Sequence, residues 1–307
     1  MSKEEESFDS IFITNEESGE RLDKILATRF NGSYSRTYFQ YLIDQHLVLL
    51  NGEPIKKRIK PFTGDEVEIQ FSALPDLNLT PENIPLTILF EDEHLLAVNK
   101  PAGMVVHPAA GNWSGTFVNA LLYHCQTLPN PAKSVRPGIV HRLDKETSGV
   151  LLAAKTLEAQ QKLIEMFAKR QIHKEYIAIC LGRPPEQEIR QPLARHPVLR
   201  KQMAIVAEGK EAITIPKILK STTKLSVVEL IILTGRTHQI RVHLKHVNAP
   251  VLGDPLYGNS AINKKMNISR QFLHAAVLKF YHPITGEILE IKAELPQDMI
   301  NFINKNF

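Results

Sequence analysis

The longest apolar stretches of this chain are only strand-length, as in the seven residues Val227-Val228-Glu229-Leu230-Ile231-Ile232-Leu233. A membrane-spanning helix needs about 20 apolar residues, so these segments have to be short strands and amphipathic helices that bury one another. Their order sets the class. Helix and strand patterns mix without a regular βαβ alternation. That predicts an α+β fold, a mixed and mostly antiparallel central sheet with flanking helices, rather than a doubly wound one. With 307 residues, 43% of them hydrophobic and 23% charged, the chain reads as an ordinary soluble protein with room for two domains.

The net charge of +4 is compatible with a polyanionic partner and weak evidence by itself. Its distribution says more, because Glu4, Glu5, Glu6, Asp9, Glu16, Glu17 and Glu20 make the first twenty residues acidic and leave the remainder more basic. Residues 1–18 read as a flexible acidic tail. Cys125 and Cys180 lie far apart in apolar surroundings and read as reduced core thiols. The polar N-terminus carries no secretory h-region, so the expected location is the cytoplasm, with no membrane partner.

A small domain is expected over residues 19–72. Leu22, Ile25 and Leu26 recur at helical spacing, and a second helix starts at Ser35. A strand at Leu47–Leu50, the turn Asn51-Gly52 and an alternating strand after Gly64-Asp65 follow. Arg36, Lys56, Lys57 and Arg58 are the candidate phosphate contacts of this domain. Pro75, Pro81 and Pro85 mark residues 73–86 as a linker to a large domain at 87–307. In it, Leu86–Phe90 and Leu95–Lys100 read as a hairpin, Thr156 as a helix N-cap, and Lys174–Cys180 as a strand. Residues 235–247 read as a helix with Ile240, Leu244 and Val247 on its core face and His238, Arg241 and Lys245 on another.

The chemistry concentrates in the loop Pro137-Gly138-Ile139-Val140-His141-Arg142-Leu143-Asp144-Lys145-Glu146-Thr147-Ser148-Gly149, which runs into an apolar strand. Asp144 has two readings: a structural carboxylate paired with Arg142 or Lys145, or a catalytic one supported by a neighbouring cation. No phosphate-cradling glycine loop is present, and Ser148 lacks the frame of a hydrolase elbow. His243 and His246 share a helical face, but no carboxylate or cysteine lies within a turn of them, so no metal site is expected.

In the order in which they occur, these segments resemble the RluA/RluD family of RNA pseudouridine synthases. The family motif H-R-L-D-x-x-T-S-G is matched at His141, Arg142, Leu143, Asp144, Thr147, Ser148 and Gly149. N-K-P-A-G at 99–103, H-P at 107–108, K-x-Y at 174–176, T-G-R-T-H-Q-I-R-V-H at 234–243, G-D-x-x-Y-G at 253–258 and L-H-A at 273–275 follow the same pattern. The small domain resembles the S4 RNA-binding domain through R-L-D-K-x-L, S-R-x-x-x-Q, V-x-x-N-G and G-D-x-V-x-I, with His46 where that family usually has glycine. The resemblance implies the pseudouridine synthase fold and isomerisation of uridine in structured RNA without cofactor or metal. Large-subunit ribosomal RNA, met in a pre-ribosomal particle, is the implied substrate and tRNA the alternative, with the enzyme acting as a monomer.

By that resemblance Asp144 is the catalytic carboxylate, Arg241 pairs with it, and Tyr176 stacks on the uracil. Arg142 fills the space that the flipped base leaves, Leu143 lines the uracil pocket, and His141 belongs to the substrate-binding set without a stated role. Whether Asp144 attacks the sugar, attacks the base or takes a proton stays open at this level. Two rival classes are a non-enzymatic RNA-binding or ribosome-assembly protein on the same scaffold, and a nucleoside hydrolase. The hydrolase needs a second acid near Asp144, and Glu146 is the local candidate.

Overall fold

The computed structural model describes residues 7–30, 34, 36–72, 79–107, 114–125, 137–199 and 201–307. The first six residues, the helix start at Ser35, Pro75 and the loop segment 108–111 lie outside them. The chain divides into two compact units, the larger made of residues 80–129 and 138–307.

The smaller unit orders its strands β1 (Ser7–Phe12), β4 (Glu66–Phe71), β2 (Val48–Leu50) and β3 (Glu53–Pro54) in one antiparallel sheet, joined to helices α1 (Leu22–Arg29) and α2 (Arg36–Asp44). The acidic tail expected over residues 1–18 is therefore corrected. Residues 7–12 form an edge strand in register with 66–71, and Ile13 is buried in the core. The pairing partner lies more than fifty positions away, so local composition hid the strand. Leu22, Ile25, Leu26, Phe39, Leu42 and Ile43 pack the two helices against Val48, Val67 and Ile69.

Buried Asp23 ties these helices together. Burial alone would raise its carboxyl pKa, but donors from Arg21, Arg36 and Gln40 outweigh it and hold the group well below the usual range. His46 takes the left-handed conformation (φ 58°) that a glycine would adopt freely. His46 N–H to Ile43 O and Leu47 N–H to Leu42 O complete the expected helix terminus, so the corner keeps its usual shape. Positive φ at Asn51 and Gly52 makes the predicted hairpin turn.

The larger unit is built on a nine-stranded sheet ordered β5-β6-β7-β14-β8-β13-β12-β9, with β15 pairing β14. Its strands are β5 (Ile88–Glu91), β6 (Leu95–Lys100), β7 (Ser148–Ala154), β8 (His173–Leu181), β9 (Ile189–Arg190), β12 (Ile213–Ser221), β13 (Leu225–Ile232), β14 (Leu273–Tyr281) and β15 (Ile288–Lys292). Within it β7 and β14 are parallel and the other pairs antiparallel, in line with the expected mixed sheet. A separate ribbon joins β10 (Leu193–Arg195) to β11 (Met203–Ile205).

Core lies on both faces of this sheet. Leu96, Val98, Leu151 and Ala153 face one side with helix α3 (Phe117–His124), while Leu95, Ala97, Val150 and Leu152 face the other with α4 (Leu157–Ala168). Thr116 caps α3, and Thr156 caps α4 by accepting from Ala159 N–H, as predicted. The parallel pair needs Gly149: at φ 113°, a Cβ there would stand 2.1 Å from Ala275 O.

Two boundaries move. Residues 80–86, expected in the linker, are held by the larger unit, because buried Asn119 donates to Thr80 O and accepts Glu82 N–H at its own carbonyl. The helix expected over 235–247 is α5 (Gln239–His246), with His238 at its N-cap in left-handed conformation. Helices α6 (Ser260–Lys265) and α7 (Gln297–Asn306) were not legible in the pattern. No helix among the described residues is long and apolar enough to cross a membrane, and Cys125 and Cys180 are free and buried.

Candidate active site

The loop ahead of β7 is fastened at both ends and in the middle. Ile139 bridges Ala153, and Ala154 N–H donates to Gly138 O. His141 accepts the Leu152 amide at Nε2 (2.8 Å) and stacks on Phe167 at 4.8 Å between centroids. Burial, with Lys174 close by, lowers its pKa to about 3, so the ring stays a neutral acceptor. Further on, Lys100 donates to Pro101 O, Met104 O and Lys145 O at 2.8–3.1 Å, satisfying all three ammonium protons. Burial lowers its pKa to about 8, against the pull of Glu146 and Asp144. Thr147 N–H turns back to Asp144 O, and the Thr147 hydroxyl accepts from Gln271. Asp144 thus sits in a turn pinned on either side.

The first turn of α5 delivers Arg241 to this turn. Its Nη1 donates to Asp144 Oδ2 at 2.8 Å, while Nε and Nη2 donate to Asp254 at 2.6 and 2.9 Å. Asp254 also accepts the amides of Leu256 and Tyr257, so its carboxylate is satisfied without water. The Asp254 side chain is 0% exposed and that of Asp144 is 19% exposed. Burial opposes the guanidinium charge of Arg241, but the two carboxylates outweigh it and raise its pKa. Asp144 therefore pairs across 97 positions with Arg241, and not within its own loop as the structural reading had it.

An open cleft has Arg142, Leu143, Asp144, Tyr176, Ile232, Arg236, His238 and Arg241 among its lining residues, with Asp144 its sole acid among the described residues. Leu143 and Tyr176 are buried in the core cluster behind it, and Arg142 is exposed. Burial, and then the charge of Asp144, pushes the Tyr176 phenol well above its ordinary range. That group can donate a hydrogen bond but resists giving up its proton to become a base. His238 lies 3.8 Å from Asp144 Oδ2 through Nε2 and shares a 2.8 Å hydrogen bond with the Tyr257 hydroxyl through Nδ1.

The structure thus brings Asp144, Tyr176, Arg241, Arg142 and Leu143 to one cleft and places His141 behind it, as a clamp for the loop. Sequence reasoning gave Asp254 and Tyr257 no role, although the G-D-x-x-Y-G spacing carries both. Glu146, the local candidate for a second acid, does not line the cleft. In the smaller unit Arg36 is bound to Asp23 and Lys57 to Asp44, while Lys56 and Arg58 are exposed. His243, the metal candidate, instead places its ring nitrogens against the Thr214 hydroxyl and Gln191 O.

A lone reachable carboxylate among the described lining residues, oriented by a buried arginine in an open cleft, makes this the candidate active site. Residues 94–246 match the sequence model of the family described as RNA pseudouridylate synthase. The chain is 43% identical over 297 residues to the ribosomal large subunit pseudouridine synthase D of Pasteurella multocida, covering 93% of this chain and 90% of that one. It is 45% identical over 305 residues to the protein of that name from Zymomonas mobilis, covering 95% of each. Among solved structures, human RNA pseudouridylate synthase domain containing 4 aligns with a TM-score of 0.56 at 27% identity, over 71% of this chain and 92% of that one. The chain belongs to the RNA pseudouridine synthase family.

Proposed function

We propose that this protein isomerises uridine to pseudouridine in large-subunit ribosomal RNA, with Asp144 as the catalytic carboxylate. One observation supports that role most: the only acid lining the cleft among the described residues is gripped by Arg241 at 2.8 Å, beside Tyr176. The ribosomal names of relatives that match over nine-tenths of the chain support the choice of RNA.

The target base has to leave its stack, at a cost of a few kcal/mol. Arg142, exposed and lining the cleft, takes the vacated space, and Leu143 and Tyr176 supply apolar walls for the uracil. As the base detaches from C1′, positive charge develops at the sugar and the Asp144 carboxylate meets it. Arg241 keeps that carboxylate oriented throughout, since Asp254 holds the other side of its guanidinium. The base then rotates and C5 bonds to C1′; the C5 hydrogen leaves as a proton to solvent, which the tritium assay reads, and N1 takes up a proton. No redox step is needed.

The smaller unit is read as an S4-type RNA-binding domain that contributes affinity through Lys56 and Arg58, with Arg36 and Lys57 reaching phosphate when they leave Asp23 and Asp44. The enzyme is read as a cytoplasmic monomer. The test is tritium release from ribosomal RNA labelled at uridine C5, with wild type and Asp144→Ala compared. Release by wild type alone is expected. Equal release from both would remove Asp144 from catalysis, and silence from both, on naked RNA and on immature subunits, would remove ribosomal RNA.

A further inference from the structure

Beside the catalytic cleft lies a second one of about 860 Å³, which shares Arg142, Tyr176, Ile232, Gly235 and Arg236 with it. Its wall adds Arg170 and Lys174, so four cations line it, and no acidic residue does so among the described residues. Lys174 is the unusual member. It projects from β8, is 6% exposed, and has no hydrogen-bond or ion-pair partner among the described residues. Its ammonium lies over the Phe167 ring, 6.0 Å from the centroid. Lysines so little exposed are uncommon unless paired, and this one lines a cleft with its charge instead.

Lys100 shows how the same molecule satisfies a buried lysine, with three carbonyl acceptors at 2.8–3.1 Å. Lys174 has no such set. Burial, and then the charge of Arg170, lowers its pKa, the expected sign for a cation lacking an anion. Two of the three guanidinium groups around it are held by one residue: Glu211 binds Arg170 at 2.6 Å through its carboxylate and Arg236 at 3.0 Å through its carbonyl. Three guanidinium groups and an ammonium that line one cleft, with no acid among the described residues there, fit an anion with several acceptor oxygens.

We propose that this second cleft is a phosphodiester subsite, in which Lys174, Arg170, Arg142 and Arg236 hold a backbone phosphate of the RNA strand beside the target uridine. The two clefts share Arg142, so the residue that enters the vacated base position also touches the neighbouring linkage. The subsite rests on the reading of the first cleft as the place where uridine reacts. Binding the phosphate gives the Lys174 ammonium an anionic partner that no described residue supplies.

The test is binding of unmodified large-subunit ribosomal RNA to the full chain across a salt series, measured in the Asp144→Ala background. Binding is then read without turnover, and tritium release by the otherwise wild-type enzyme stays a separate result. Lys174→Met is expected to weaken binding and to lower the salt slope by about one. The same substitution is expected to leave the thermal midpoint of the RNA-free protein unchanged or higher, because it removes a buried unpaired charge. A residue needed only for the fold would do the reverse, lowering the midpoint and leaving the slope alone, and that result would overturn the proposal. Arg170→Gln alters an exposed side chain and serves if Lys174→Met does not fold. It too is expected to lower the slope. Unchanged slopes in the variants that fold would sink the subsite.

Discussion

Arg241 spreads one guanidinium over two carboxylates of unlike exposure, and the difference gives each a separate task. Asp254, sealed from water, orients the arginine, and the arginine orients Asp144, which stays reachable. A displacement of about 1 Å at a catalytic group can cost roughly a hundredfold in rate. Asp254→Asn removes the charge that anchors Nε and Nη2 while keeping the side-chain shape. It is expected to lower kcat in tritium release by more than about tenfold, with KM changed far less because no substrate contact is lost. A KM effect alone would make Asp254 a substrate-binding group. Single residues were partly legible in the sequence. Asp144, Tyr176 and Arg241 stood out through their motifs, and the structure gathers all three at one cleft. Asp254 did not stand out, since its importance comes from burial against a residue 13 positions earlier.

Among elements, the Asp144 loop depends on clamps supplied by neighbours, and His141 is the one whose titration falls on the acid side. Its pKa in the folded chain is lowered from 6.5 to about 3, so between those values the unfolded state binds a proton that the folded state does not. Stability from this group is complete above pH 6.5 and declines as the pH falls through the window, by up to about 1.4 kcal/mol per pH unit. His243 and His274 are shifted in the same direction, so the wild-type slope is shared. His141→Gln retains an acceptor for the Leu152 amide without titrating. Urea unfolding between pH 7.5 and 4 is expected to give a shallower acid decline for this variant, and identical slopes would mean that His141 does not carry it. Elements with strong local signals, such as the Thr156-capped α4 and the Asn51-Gly52 hairpin, could be read directly. Strand β1 could not, because its pairing partner lies more than fifty residues away.

At the scale of the molecule, the proposed function assigns RNA affinity to the smaller compact unit and chemistry to the larger. Every residue of the catalytic cleft lies within 138–307. Removing residues 1–79 is therefore expected to weaken binding to ribosomal RNA and flatten its salt dependence, while tritium release at saturating RNA keeps most of its rate. Collapse of the saturated rate in a truncated protein that remains folded would mean that the smaller unit takes part in the reaction itself.

The sequence alone determined the fold class, the presence of two domains, the reactive loop and the family, because these rest on short-range periodicity, turn chemistry and ordered motifs. Only the tertiary structure decided which charges meet. Asp254 grips the far side of Arg241, three carbonyls satisfy Lys100 and Asp23 holds Arg36, whereas the Asp144–Arg241 pair was already implied by the family resemblance. A charge is governed by its distance to other charges and by the water left around it. Both quantities are set when β7, β8 and α5 pack together, across separations along the chain that no local pattern records.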